Sequence, residues 1–446
     1  MNRICSIGRF ARPRAELAFA VRDQLTKGAK SRVPQRLALV AAAAGMVVPL
    51  AAALPAAAAS GAGTGQPDVV TQWNLTMITG LEAAAIPPPP SARIGAIVQA
   101  SVFDAVNGIT RRYASYHVAP AAPPGASRQA AAVGAAYTAL VALIPAQKPL
   151  FDAQLAATLA QISDDPSDPG RSVRRGLAWG TTVADGILAW RATDGFTMPP
   201  PPYTVRSGSG YWKPTPPLFL GPPQAPLFRQ FAAMTPFALT SPPLDSARYA
   251  QDLAEVRAYG TATSSVRTPE ETQTAIFWQD DTPAAMWNRV ADQLAQANDL
   301  SLAQNARLLA QLNVALADAT IAVWNAKNFY NSWRPVTAIR ATSDPAWTPL
   351  LPTPAFQEYP SAHSGVSSAA ATVLASFYGN HTRFTVTSAG LPGVQRGFTS
   401  FSAAVQQVEN ARIYVGFHFR FSCTDGAALG ARVARYVTVT LMQPRR

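Results

Sequence analysis

The sequence predicts a mostly α-helical protein in which packed bundles of helices are joined by long loops. Apolar residues recur at helical spacing along most of the chain, and alanine, a strong helix former, dominates these stretches. In the first half, no alternation of β-branched residues is long enough to indicate a sheet. Apolar residues make up 48% and charged residues 14% of the 446, which is typical of a globular protein.

Five helices are predicted before residue 199. In the first, which begins near Asp68, the apolar residues at helical spacing are Trp73, Leu75, Ile78 and Leu81. The prolines at 87–90 are expected to break this helix. The other four are predicted over residues 94–106, 129–143, 151–162 and 173–193.

The segment 199–245 is rich in proline and aromatic residues, which are too frequent for a flexible linker. We expect an ordered, extended connector across helices. This connector would line either the mouth of a substrate pocket or a contact between subunits. A homo-oligomer is therefore one of the expected possibilities. Beyond it, helices are predicted over residues 246–259, 270–278, 286–297, 301–333, 363–378, 402–414 and 425–442.

Residues 1–59 are predicted to be a secretory signal peptide. A basic segment leads into an apolar run from Leu37 and then into small residues around a cleavage site at 58–60. The protein is therefore expected to be secreted, to an extracellular or periplasmic location. The mature chain would have an N-terminal helical part over 60–198, the connector, and a C-terminal helical catalytic part over 246–446.

The net charge of +12 does not indicate nucleic-acid binding. Nine Lys or Arg and two acidic residues among residues 1–36 supply +7 of it, and the rest is spread over the chain. No basic run with interleaved aromatic residues follows, so nucleic acid is not expected as a partner. We expect no membrane-spanning stretch after residue 60, and therefore no stable membrane insertion after signal cleavage.

A candidate anion site begins with Lys327 and Arg334. They are seven residues apart, almost two helical turns, and Trp324 precedes Lys327 by three residues, so all three are expected on one helix face. Pro335 is expected to end that helix. Two fixed cations on one face are costly unless they hold an anion.

Two later stretches supply groups that would complete the pocket. Ser361 is a predicted helix N-cap, and the N–H groups after it suit an oxyanion. His363 and His418 would add imidazoles, one to bond the central atom and one to move protons. Arg412 and His418 lie about 120° apart on a straight helix, so both face one pocket only if the helix ends between them. Gly416 is the expected break.

Three motifs now stand in order: Lys-x6-Arg-Pro at 327–335, Pro-Ser-x-His at 360–363 and Arg-x5-His at 412–418. Together they resemble the signature of vanadium-dependent haloperoxidases, which is shared with the phosphatidic acid phosphatase type 2 superfamily. The resemblance implies an all-α fold with two four-helix bundles and a pocket that holds vanadate. It further implies oxidation of halide by hydrogen peroxide to hypohalous acid, through a His-bound peroxovanadate, with small organic substrates.

The resemblance also implies individual roles. His418 would bond vanadium, and His363 would deprotonate hydrogen peroxide. The groups that would hold the vanadate oxygens are Lys327, Arg334, Arg412, Ser361 and the N–H of Ala362, and Lys327 would also polarise the bound peroxide. Trp324 and Phe356 match aromatic residues of the halide region in chloroperoxidase-type members. Asp281, or its neighbour Asp280, would orient His363.

The chain departs from the family pattern at three positions. Ala362 stands where the family has Gly, Ser422 where it has Asp, and Ala411 where it has Ser. These changes leave the anion ligands intact and alter their surroundings. Two other functions stay open: an acid phosphatase in which His418 forms a phosphohistidine and His363 protonates the leaving alcohol, and an anion-binding protein without turnover.

Overall fold

The structure, a computed structural model, describes residues 68–445 except for 165, 166, 168, 169, 216–218, 233, 235–237 and 280. The predicted signal peptide, its cleavage site and Asp280 lie outside the described residues. Within them the protein has thirteen α-helices and one two-stranded sheet, so the all-α prediction is confirmed.

The helices and strands are labelled in chain order. The helices are α1 Val69–Ala83, α2 Pro88–Thr110, α3 Arg128–Leu143, α4 Lys148–Leu159, α5 Ser172–Arg191, α6 Ala247–Tyr259, α7 Pro269–Phe277, α8 Pro283–Ala297, α9 Leu302–Tyr330, α10 Pro335–Thr342, α11 Ala362–Tyr378, α12 Phe401–Tyr414 and α13 Arg420–Thr440. The strands β1 Phe384–Thr387 and β2 Gln395–Phe398 form an antiparallel hairpin, which the sequence reading missed.

The long helix α9 is shared by two groups of helices. It packs against α2 in the first group, where α3 also contacts α2 and α5. In the second group it packs against α11 and α13, and α12 lies on α11. By length and hydropathy α9 would qualify as a membrane span, but 89% of its most apolar window is buried inside the protein. Its apolar surface is thus buried by neighbouring helices, as in the core helix of a bundle.

Four of the described α-helices begin at a proline, and two predicted helix boundaries are corrected as a result. The first helix ends before the prolines at 87–90, as predicted, but the second helix, predicted from residue 94, already begins at Pro88. The helix predicted over 301–333 stops at Tyr330, because Asn331 adopts the left-handed conformation with φ +51°. Arg334 is extended, as expected before a proline, and Pro335 opens α10. The expectation that Arg334 shares a helix face with Lys327 is therefore wrong.

The connector between α5 and α6 is tied to α9 by a buried carboxylate. Asp318 of α9 accepts the N–H of Phe231 at 2.6 Å and that of Ala232 at 2.7 Å. Arg191 of α5 donates to the carbonyl of Arg229 at 2.6 Å from the same stretch. Backbone groups that would otherwise be unpaired in the core are therefore satisfied by side chains.

We expect Asp318→Asn to destabilise the protein by about 1–3 kcal/mol, because the amide nitrogen must face one of two N–H donors and leaves it unpaired. Asp185→Asn is the matched control, since Asp185 is an exposed residue of α5. Urea denaturation followed by circular dichroism measures both variants. Equal stability of the two would show that this carboxylate does not anchor the connector.

Candidate functional site

The carbonyl groups of residues 356–358 bind two buried cations. Arg334 Nε donates to Phe356 O at 2.8 Å, and Lys327 Nζ donates to Gln357 O at 3.0 Å and Glu358 O at 2.7 Å. The Phe356 ring lies 5.5 Å from Lys327 Nζ and 4.8 Å from Arg334 Cζ. The two cations therefore meet at one place even though they belong to different elements.

His418 lies against the same guanidinium group. Arg334 Nη1 donates to Phe417 O at 3.1 Å and lies 3.2 Å from His418 Nε2. The helix α12 ends at Tyr414, and Gly416 follows with φ +82°. The predicted break at Gly416 is confirmed, and it turns the chain so that His418 leaves the helix that carries Arg412.

Arg412 is placed in the last turn of α12. Its Nη1 donates to Gln279 Oε1 at 2.9 Å, and its Cζ lies 5.2 Å from the Phe417 ring. Gln279 lies in the turn that ends α7, two residues after Phe277. Sequence reasoning had not assigned Gln279 to the site, since a lone glutamine carries no motif.

The start of α11 is held in a fixed position. Ser361 is the N-cap, as predicted, and its Oγ accepts from Ser364 N at 3.4 Å. Its own N–H donates to Ser422 O at 3.0 Å. A Cβ on Gly426 would lie 2.5 Å from Ser361 O, so glycine lets α13 approach the start of α11 closely. The N–H of Ala362 stands at the first position of α11, where the helix offers it no acceptor.

Burial dominates the electrostatics of the pocket. Lys327 and Arg334 are 0% exposed and Arg412 is 1% exposed. Burial, and next the charge of Arg334, lower the pKa of Lys327 well below its ordinary value. Burial lowers the pKa of Arg334 to about 9, which leaves it cationic at neutral pH. Buried cations of this kind are stabilised by an anion placed between them.

The surroundings of both histidines favour the neutral imidazole. Burial is the largest cause that lowers the pKa of each well below the ordinary value. The charges of Arg412, Lys327 and Arg334 act in the same direction on His363. A neutral imidazole can accept a proton or offer a lone pair, which are the two functions that the sequence assigned to His363 and His418.

Glu358 is a second site residue, after Gln279, that the sequence did not reveal. Its Oε1 lies 2.8 Å from His418 Nδ1 and accepts the N–H of Phe419 at 3.2 Å. Burial raises its pKa to about 7, and the charges of Lys327 and Arg334 oppose that rise. The available signal was that Glu358, directly before Tyr359, is the one charged residue between 345 and 361.

The proposed halide-side aromatic residues are neighbours, and the proposed Asp partner of His363 is not placed as expected. The rings of Trp324 and Phe356 are 4.8 Å apart between centroids. Asp281 Oδ2 instead accepts from Arg289 Nη2 and from the N–H of Ala389 at 3.1 Å. Among the described residues no hydrogen bond joins Asp281 to His363, whose Nε2 is buried without a partner.

The fold and the site together define a class: an all-α protein in which buried Lys327, Arg334 and Arg412 lie near the imidazoles of His363 and His418. Comparisons with known proteins agree. Residues 307–445 match the family model of the VCPO second helical-bundle domain. Vanadium chloroperoxidase from Curvularia inaequalis is 26% identical over 189 residues, which is 34% of this chain and 31% of that protein.

Solved structures give the same result over a greater length. The structure described as the first bacterial vanadium-dependent iodoperoxidase has a TM-score of 0.72 and 28% identity, and the match covers 85% of this chain and 98% of that one. An apo-type bacterial vanadium-dependent chloroperoxidase has a TM-score of 0.65 at 16% identity, covering 79% and 93%, which is a likeness of fold. In sequence and in fold the chain is therefore similar to vanadium-dependent haloperoxidases. The match spans about a third of the length of the curated vanadium chloroperoxidase.

Proposed function

We propose that this protein is a vanadate-dependent haloperoxidase that oxidises halide with hydrogen peroxide to hypohalous acid. The observation that carries the proposal is the grouping of three buried basic side chains around one imidazole. Arg334 Nη1 lies 3.2 Å from His418 Nε2, and the charges of Lys327 and Arg412 also lower the pKa of His418. Glu358 is the one carboxylate in hydrogen-bonding contact with that imidazole among the described residues. Three positive groups against one negative group suit a dianionic ligand.

The residues present fit vanadate. Arg334 Nη2 and His363 Nε2 are buried without a hydrogen-bond partner among the described residues. Buried polar atoms of this kind carry a desolvation cost that an oxyanion would remove. A tetrahedral oxyanion also matches the N–H groups at the start of α11, where the helix dipole favours negative charge.

Each residue then has a task. His418 Nε2 would bond the vanadium, and the oxygens would be held by Lys327, Arg334, Arg412, the Ser361 hydroxyl and the N–H of Ala362. When bound, vanadate supplies a Lewis-acidic centre that activates hydrogen peroxide towards two-electron chemistry. The protein contributes a preorganised set of donors that need no rearrangement during the reaction.

His363 would act as the acid–base group. Its neutral imidazole takes a proton from hydrogen peroxide and later returns one to the oxygen that leaves as water. In the balanced reaction the halide loses two electrons, the O–O bond breaks, one proton is consumed, and hypohalous acid and water form. Small organic substrates would then be halogenated by the product.

Trp324 and Phe356 support halide as the substrate. Their paired rings lie beside Lys327 and Arg334, so a polarisable anion would meet an apolar wall next to positive charge. The signal-like residues 1–59 support secretion as the setting for this activity.

One set of assays tests the proposal. The protein without residues 1–59 is loaded with orthovanadate, and halogenation of a phenolic dye is followed with hydrogen peroxide and iodide, bromide or chloride in turn. We expect halogenation that requires both vanadate and peroxide. Hydrolysis of p-nitrophenyl phosphate by the vanadate-free protein, without any halogenation by the loaded protein, would instead establish the phosphatase. No activity in either assay would favour the third hypothesis, a protein that binds an anion without turnover.

A further inference from the structure

We infer that Glu358 is a positioning residue that holds the Nδ1 proton of His418 and strengthens Nε2 as a ligand. In this chain it takes the place of the carboxylate that the family pattern has at position 422. The claim that Nε2 is a vanadate ligand rests on the proposed function. The claim about the position of the His418 proton rests on geometry alone.

The contacts of His418 determine which nitrogen carries the proton. Arg334 Nη1 lies 3.2 Å from Nε2, and a guanidinium group can only donate, so Nε2 must present its lone pair. The proton is then on Nδ1, which donates to Glu358 Oε1 at 2.8 Å. An imidazole that donates its far N–H to a carboxylate is oriented by it and becomes a more basic ligand.

Glu358 is itself held on both sides. Its N–H donates to Ser332 O at 3.0 Å, its carbonyl accepts from Lys327 at 2.7 Å, and its Oε1 also accepts from Phe419 N at 3.2 Å. The residue is 0% exposed. A carboxylate fixed in this way can fix the imidazole in turn, because neither partner has freedom to rotate away.

Position 422 explains why a carboxylate from another segment is used. The Oγ of Ser422 lies 3.4 Å from His418 Nδ1, so a side chain there reaches the imidazole but carries no charge. Glu358 reaches the same nitrogen from the loop before α11. The two positions are therefore alternative sources of one negative charge.

Two explanations of Glu358 predict opposite effects of Glu358→Gln. If the carboxylate only balanced charge, its loss would make the pocket more positive and every dianion would bind more tightly. If it strengthens His418 as a ligand, vanadate should bind about 10- to 100-fold more weakly, since vanadate bonds the imidazole. Sulfate, a tetrahedral dianion that forms no such bond, should bind no more weakly than before.

The experiment measures vanadate and sulfate affinity by titration calorimetry in wild type, Glu358→Gln and the double variant Glu358→Gln with Ser422→Asp. We expect selective loss of vanadate affinity in the single variant and its recovery in the double variant. Glu270→Gln, an exposed glutamate, is the matched control and should change neither affinity. Vanadate bound at wild-type affinity by Glu358→Gln would overturn the inference, and so would equal weakening of both anions.

A measurement without vanadate keeps the inference separate from the proposed function. The chain has only four histidines, so nitrogen NMR of isotope-labelled histidine can assign each one in the vanadate-free protein. We expect His418 to be protonated on Nδ1 and bare on Nε2. A proton on Nε2 would overturn the role of Glu358. Correct protonation in a protein that fails to bind vanadate would overturn the proposed function alone.

Discussion

His418→Ala is expected to abolish vanadate-dependent halogenation. Loss of an outer partner of a metal ligand costs about 10- to 100-fold in affinity, and loss of the ligand itself should cost at least about 100-fold. Vanadate affinity measured by titration calorimetry and dye halogenation at saturating vanadate report the two effects separately. The cations would still attract oxyanions, so weak sulfate binding should persist in the variant.

His381→Ala provides the matched control. His381 is an exposed histidine in the loop between α11 and β1, so its loss removes an imidazole of the same chemistry from a place with no proposed task. Thermal unfolding of both variants shows whether the fold is kept. Wild-type vanadate affinity in a folded His418→Ala protein would mean that another residue bonds the vanadium.

Lys327→Met is expected to lower turnover by about 10²- to 10³-fold at saturating vanadate, which is the usual effect of removing one preorganised donor from a charge-stabilising site. Methionine fills similar space but cannot donate to Gln357 O and Glu358 O. Leaving buried carbonyl groups unpaired should also cost about 1–3 kcal/mol of stability. Measuring turnover at saturating vanadate separates this loss from weaker vanadate binding.

The control for Lys327→Met is Lys148→Met. Lys148 has a side chain that is 51% exposed and pairs with Asp152 four residues later on α4. Exposed pairs of this kind contribute little to stability, so both turnover and melting temperature should stay close to wild type. If Lys327→Met kept full turnover, the lysine would hold the loop of residues 356–358 without assisting the reaction.

Local rules predicted those parts of the site that depend on neighbours in sequence. Ser361 was placed as an N-cap by its residue type, and Gly416 was placed as a helix break by the angle between Arg412 and His418. Arg334 was assigned to the pocket, but for the wrong reason. It reaches the pocket as an extended residue beyond the end of α9, because Asn331 turns the chain first.

The remainder depended on contacts between distant segments. Glu358 contacts His418 because the fold brings the loop before α11 against the start of α13. No local sequence pattern around residue 358 predicts this contact. The hairpin β1–β2 was missed because its strands are four residues each, too short for a clear alternation. Asp281 was assigned by motif proximity, and Arg289 takes its carboxylate instead.

The sharing of α9 has a consequence for any attempt to divide this protein. The segment that matches the family model begins at residue 307, inside α9, and retains every residue proposed to hold the anion. Such a fragment would lack α2, against which α9 packs, and Gln279, which binds Arg412. The apolar face of α9 that packs on α2 would then be exposed to water, and Arg412 would lose its hydrogen bond to Gln279. We therefore expect the proposed activity to require both groups of helices, and a chimera with a relative should fold only if α2 and α9 come from the same protein.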